Sequence, residues 1–146
     1  MSILISRMKI RFTFLFFSLS FLLLGFLCYF FLRESNLIVN KFLDIKFNNI
    51  FFSYDNLFLK FLKYNLPDGL WILSGILLIR SIWINDFKIS NIYVYIFIFL
   101  AILFEFFQLF NFIPGTFDFF DIFIMILFAF IEQVCYNGFI KRRLLK

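Results

Sequence analysis

The chain has 146 residues, 64% of them hydrophobic and 16% charged, with a net charge of +5. Soluble domains have about a quarter of their residues charged. This chain has too few charges to cover its apolar residues in water, and a mean hydropathy of +0.98 makes the bilayer its natural solvent. There is no histidine, which excludes a His-ligated zinc site and a Ser–His or Cys–His nucleophile. Cys28 and Cys135 lie in separate apolar runs with no C-x-x-C spacing, so neither a metal nor a cofactor is implied. Lys and Arg gather beside apolar runs, at the chain ends and in one loop. That is the pattern of topology and lipid-headgroup contact, not of a nucleic-acid partner. The 29 phenylalanines accompany abundant Ile, Asn and Lys, while Ala occurs only at Ala101 and Ala129. An AT-rich genome supplies apolar residues in that way, and no aromatic ligand surface follows from it.

The sequence predicts one membrane domain over residues 1–146. It is all-α and polytopic, a bundle of four transmembrane helices at about 12–32, 69–84, 92–110 and 119–140. Arg7, Lys9 and Arg11 precede the first apolar run, Phe12 to Leu32. At 1.5 Å per residue that run is about 31 Å long, enough for a hydrocarbon core of about 30 Å. No A-x-A motif is present, and Leu27 before Cys28 is too large for a lipoprotein cleavage site, so the run reads as an uncleaved signal anchor.

Residues 33–67 form the longest polar connection. Within it Asp55, Asn56, Lys60 and Lys63 share one helical face, and Leu57, Phe58, Phe61 and Leu62 share the other, with Leu59 the exception and Ser53 available as a cap. This predicts a short amphipathic helix lying in the membrane interface. Pro67-Asp68 signals the start of the second span, which contains Arg80 and has Trp71 and Trp83 towards its ends as interfacial aromatics. A polar turn at 85–91, containing Lys88, leads to the third span. A turn at Pro114-Gly115-Thr116 leads to the fourth, which Lys141, Arg142, Arg143 and Lys146 follow.

Four spans put both termini on one side. That side carries eight or nine basic residues near the span ends, against five in the long first loop (Arg33, Lys41, Lys46, Lys60 and Lys63). The balance predicts cytoplasmic termini, with the bacterial cytoplasmic membrane as the location.

Depth then sorts the polar residues. Asp68 opens the second span on the outer side, and Asp118 and Asp121 open the fourth. Glu105 lies about 8 Å below the outer end of the third span, with Gln108 at i+3 on the same helix face. Asp68, Glu105, Gln108, Asp118 and Asp121 are therefore candidates for one outer polar pocket. Asp68 and Asp118 also fit the role of helix caps. Glu105 has no cap to serve, and a carboxylate at membrane depth costs about 2.5–3.5 kcal/mol on insertion scales. Arg80 lies near the inner end of its span and Glu132 in the inner half of the fourth. They are candidates for a structural pair, and Arg80 is also placed to snorkel to the inner interface.

Asp68 at the second span, Glu105-x-x-Gln108 late in the third, a Gly-Thr turn and Asp121 early in the fourth follow one another in fixed order. In this the stretch from Asp68 to Phe130 resembles the VanZ-like family of small bacterial multi-spanning membrane proteins, named for a protein linked to teicoplanin resistance. The chain is similar to a divergent member. Family members often carry a His soon after the first Asp, an Arg in the turn and an Asn one turn into the last span. Here those places hold Gly69-Leu70-Trp71-Ile72, Pro114-Gly115-Thr116 and Met125.

Two functions follow as expectations. In one, the chain is a VanZ-like protein of the bacterial envelope whose outer acidic pocket engages a lipid headgroup or a lipopeptide-type ligand, with Glu105 and Asp121 accepting hydrogen bonds and Gln108 orienting. In the other it is an accessory or scaffold subunit that docks a membrane-protein partner through its first loop. An enzyme working through paired carboxylates is the weaker alternative, because no nucleophile or metal motif accompanies them, and no catalytic residue is assigned. Transport is weaker still, since the spans show no internal repeat and no pair of broken helices.

Overall fold

The computed structural model describes residues 2–32 and 57–144, with side chains described within 7–29 and 60–138. Among the described residues the chain is all-helical. Five helices follow in order: α1 (Ser2–Leu32), α2 (Leu57–Tyr64), α3 (Leu66–Ile82), α4 (Phe87–Leu109) and α5 (Phe119–Leu144). Three segments are long and apolar enough to cross a membrane, Arg7–Tyr29, Phe87–Leu109 and Phe119–Gly138. They fit a multi-pass membrane protein. Their outward faces carry rings that water would not tolerate, such as Phe16, 65% exposed, and Phe99, 64% exposed.

The shortest of the four main helices sits at the centre. α3 has 17 residues, about 25 Å at 1.5 Å per residue, and packs against α1, α4 and α5. Its buried residues Leu70, Ile72, Ser74, Ile76, Leu77, Arg80 and Ser81 cover more than half of its circumference, and Leu78 and Ile82 lie on the exposed remainder. A helix buried over so wide an arc is the centre of a bundle. Ile72 and Ile76 form an apolar cluster with Val94 of α4 and with Met125 and Ala129 of α5.

Contacts fix the helix directions. Arg11 of α1 donates from Nε to the carbonyl of Ser81 at 3.1 Å, and Ser18 Oγ donates to the carbonyl of Ser74 at 2.9 Å. A Cβ added to Gly25 would come within 2.6 Å of the Trp71 indole. Higher numbers on α1 meet lower numbers on α3, so the two run antiparallel. Arg11, Ser18 and Gly25 are spaced by seven and form one seam. Between Arg7 and Tyr29 only Ser18 and Gly25 are buried. Small residues at heptad spacing let the two backbones approach closely, the usual device where lipid removes the hydrophobic drive. Arg11 also places a cation at the negative end of the α3 dipole.

α4 runs antiparallel to α3, since Gly75 faces Phe97 and Arg80 meets Ser90 and Asn91. α5 runs parallel to α3. Asn65 meets Asp121, Gly69 lies on Ile124, and Arg80 meets Glu132. Arg7, Lys9, Arg11 and Lys88 therefore gather at one end of the bundle. Asp68, Glu105, Asp118 and Asp121 gather at the other.

Several boundaries differ from the sequence reading. α1 begins at Ser2 and not at Phe12, so the basic residues Arg7, Lys9 and Arg11 are helical. α3 covers Leu66–Ile82 where 69–84 is expected, with Pro67 in its first turn, where a missing N–H costs nothing. α4 begins at Phe87, five residues before the expected 92, because Asp86 caps it by accepting from the Ile89 N–H at 3.1 Å. The expected polar turn at 85–91 is thus mostly the first turn of α4. α5 continues to Leu144, past the expected 140. α4 stops in a Schellman arrangement. Phe112 N–H donates to Phe107 O at 2.9 Å, Asn111 N–H donates to Gln108 O at 3.0 Å, and Asn111 adopts a left-handed φ of 58°. α2 provides the short helix expected before Pro67, and Lys60 on it is exposed. The proposed cap Ser53 and the polar-face residues Asp55 and Asn56 lie outside the described residues.

Candidate functional site

Two polar layers occupy the bundle, one towards each end. The deeper is built around Arg80, whose side chain is 0% exposed. An Arg in this position has five N–H donors and no acceptor, and each donor has an acceptor. Nε donates to Glu132 Oε1 at 3.2 Å, and Nη2 donates to Glu132 Oε2 at 3.4 Å. Nη2 also donates to Gln133 Oε1 at 2.7 Å, while Nη1 donates to Ser90 Oγ at 3.2 Å and to Asn91 Oδ1. The guanidinium carbon lies 3.7 Å from the centroid of the Tyr136 ring, which stacks on Phe87 from α4 at 5.7 Å and 4°. The last turn of α3 is thereby tied to the first turn of α4 and the middle of α5.

The layer is charge-neutral and closed. Glu132 cancels the guanidinium charge, and the fork geometry uses both carboxylate oxygens. Every N–H donor of Arg80 is engaged by a side chain of α4 or α5, so the arrangement ties three helices together. Sequence reasoning singles out Arg80 and Glu132 but not Ser90, Asn91, Gln133 or Tyr136. Their signal was available in part, since Ser90-Asn91 and Glu132-Gln133 are paired polar residues within apolar runs. The snorkelling route expected for Arg80 is not taken. Five acceptors within reach hold the guanidinium in the bundle.

The second layer lies at the opposite end. Asp121 is 9% exposed, and its Oδ1 accepts from Asn65 Nδ2 at 2.7 Å. Asn65 stands at the N-cap of α3 but makes no side-chain cap bond. Its amide reaches across to α5 instead. Asp68 is therefore not the cap of α3. It occupies the first turn, half-buried, where a carboxylate still suits the positive end of the helix dipole. Asp118 behaves as a cap, its Oδ1 accepting from the Phe120 N–H at 2.9 Å. Asp121 lies one turn on, its backbone N–H donating to the Asp118 carbonyl at 3.2 Å while its Oδ1 faces Asn65.

Glu105 is 7% exposed, with Gln108 Nε2 at 3.4 Å from its Oε1. The loop after α4 folds back so that Gly115, at a φ of 155°, lies directly against the Gln108 side chain. A side chain at position 115 would collide with Gln108 and strain the backbone. The five candidate residues thus share one end of the bundle. Asp121 is joined to Asn65, Glu105 to Gln108, and Asp118 to its own helix. Asn65 is the member that the sequence did not single out. Among the described residues no group of three His, Cys, Asp or Glu is placed to hold a metal.

The chain matches no protein-family model, no curated protein and no solved structure.

Proposed function

We propose that the chain is a four-span protein of the bacterial cytoplasmic membrane, with cytoplasmic termini, whose acidic outer layer engages the headgroup of a membrane-borne amine, as a lipid or a lipopeptide carries. The observation that carries this reading is the pair of buried carboxylates, Glu105 and Asp121, at the end of the bundle opposite the basic residues. Carboxylates at membrane depth are costly and mark function by default. α3 serves as the fourth span: it is aligned with the three longer helices, and a 17-residue helix crosses a bilayer with modest local thinning. α2 lies in the outer interface beside the start of α3. The charge division supports the orientation, since Arg7, Lys9, Arg11 and Lys88 share the end where the positive-inside rule places the cytoplasm. The resemblance to the VanZ-like family rests on the same residues, Asp68, Glu105, Gln108 and Asp121, and supports an envelope role.

The test is lipid retention. Native mass spectrometry of the detergent-purified protein, titrated with phosphatidylethanolamine and with phosphatidylglycerol, should show preferential retention of the amine headgroup. Glu105→Gln with Asp121→Asn should remove that preference while the helical circular dichroism stays unchanged. Equal retention of both lipids by the unmodified protein would reject the ligand class.

A further inference from the structure

The connection between α4 and α5 joins two helices that are each long and apolar enough to cross a membrane, and it lies at the acidic end of the bundle. Residues 110–118 contain Phe110, Phe112, Ile113 and Phe117 and a single charged residue, Asp118. A turn surrounded by water would bury such rings against the bundle. Here Phe112 is 75% exposed, and Phe119, just after the turn, is 74% exposed. The rings do not scatter. Phe112 folds back along the flank of α4, its centroid 6.1 Å from Phe107 and 6.2 Å from Phe110, and Phe107 lies 6.4 Å from Phe104. Phe117 comes back on Phe106 at 6.1 Å and meets Phe119 at 4.7 Å. The turn thereby adds its rings to the apolar outer side of α4 and α5. A contiguous exposed apolar surface of this kind needs a cover.

The backbone limits how deep the turn can sit. The N–H groups of Ile113, Gly115, Thr116 and Phe117 have no backbone acceptor among the described residues. Irregular backbone facing lipid does not occur inside the hydrocarbon core, because nothing there can hydrogen-bond to it. We infer that the α4–α5 turn is seated in the leaflet at the acidic end of the bundle. Phe112, Phe119 and Phe120 lie among the acyl chains, and the backbone of 113–117 stays at the level of the headgroups, where water reaches it. The cover is lipid and not a protein partner. The same file of rings begins on the outer side of a membrane-crossing helix, and no Lys or Arg interrupts the chain between Lys88 and Lys141. Gly115, in the middle of the turn, rests on the Gln108 side chain, so the seated turn covers that side chain towards water. A headgroup then reaches the Glu105–Gln108 pair from the bilayer. This last consequence rests on the ligand reading above, whereas the seating does not.

Spin labels read the seating without any ligand. Single cysteines replace Phe112, Thr116 or Phe120, all exposed, in the full chain with Cys28→Ser and Cys135→Ser. Each variant is spin-labelled and placed in vesicles of phosphatidylethanolamine and phosphatidylglycerol. Oxygen, which concentrates among acyl chains, is compared with a water-soluble nickel chelate as the agent that relaxes the label. At Phe112→Cys and Phe120→Cys oxygen should relax the label several-fold more than the chelate does. At Thr116→Cys the order should reverse. A label at Asn85→Cys, in the exposed α3–α4 turn, gives the value for a polar turn. Chelate dominance at Phe112→Cys and Phe120→Cys would overturn the inference and leave the rings to a protein partner. Oxygen dominance at Thr116→Cys would overturn it as well, because irregular backbone would then lie in hydrocarbon. The labels report nothing about a ligand, so a failure of the ligand reading leaves the seating standing.

Discussion

Replacing Arg80 by Lys tests whether the inner layer is a matter of charge or of geometry. Lys keeps the charge that offsets Glu132. It presents three donors on one nitrogen, where Arg presents five in a rigid fork. Five donor contacts, to Glu132 twice and to Ser90, Asn91 and Gln133, cannot be made from one ammonium. At least two are lost. Hydrogen bonds between membrane helices average about 0.6 kcal/mol and reach about 1.7 kcal/mol. The flat stacking of the guanidinium on Tyr136 at 3.7 Å is also lost, and a desolvated cation–π contact contributes up to about 2 kcal/mol. The sum is about 2–4 kcal/mol of lost stability. Reversible unfolding in mixed micelles with increasing SDS measures it, and Trp71 and Trp83, both beside or within α3, report on the relevant helix. A double-mutant cycle with Glu132→Gln isolates the share due to the carboxylate. If Arg80→Lys unfolds within about 0.5 kcal/mol of the parent, then charge balance alone holds the layer, and the five-donor account is wrong.

Gly25→Leu should force the Trp71 indole away from the α1–α3 seam, lowering stability by about 1–3 kcal/mol as overpacking does and shifting the Trp71 emission; an unchanged emission spectrum would mean that the seam is loose. Ser18→Cys with Ser74→Cys, in a chain lacking Cys28 and Cys135, should form an intramolecular disulfide under mild oxidation, because the two Oγ atoms are 3.4 Å apart. Recovery of free thiols or of crosslinked dimers would contradict the α1–α3 pairing. Asn65→Ala should cost about 1.5–3 kcal/mol through the lost hydrogen bond to the Asp121 carboxylate, read as a lower unfolding midpoint; Asn65→Asp should do worse by placing two carboxylates together. Asp86→Ala should cost about 0.5–2 kcal/mol by uncapping α4, and hydrogen exchange at Ile89 should accelerate before exchange further along the helix does.

Residue by residue, the sequence reveals some of these features and hides others. Asp86 shows why helix starts are hard to read. Lys88, Ser90 and Asn91 look like turn residues when counted by polarity, yet a capping carboxylate before them and an Arg to satisfy inside the bundle make them helical. Asp68 looks like the α3 cap because it follows Pro67, and the cap position falls to Asn65, whose amide is engaged across the interface. The heptad of Arg11, Ser18 and Gly25 was visible in principle, but small residues in an apolar run carry no sign of which neighbour they face.

What the sequence determines by itself is the helical class and where the apolar helices lie. Hydropathy is a local property, and in lipid every backbone group must be satisfied within its own helix, so an apolar run of the right length has one available structure. The charged residues that need partners are likewise plain from composition: Arg80, Glu105, Asp121 and Glu132. What only the tertiary structure decides is the rotation of each helix about its axis. That rotation makes the short α3 the centre, brings Ser90, Asn91, Gln133 and Tyr136 around Arg80, and turns Asn65 to Asp121. Rotation is set by close packing between small residues on different helices, and no window along one chain contains both sides of such a contact.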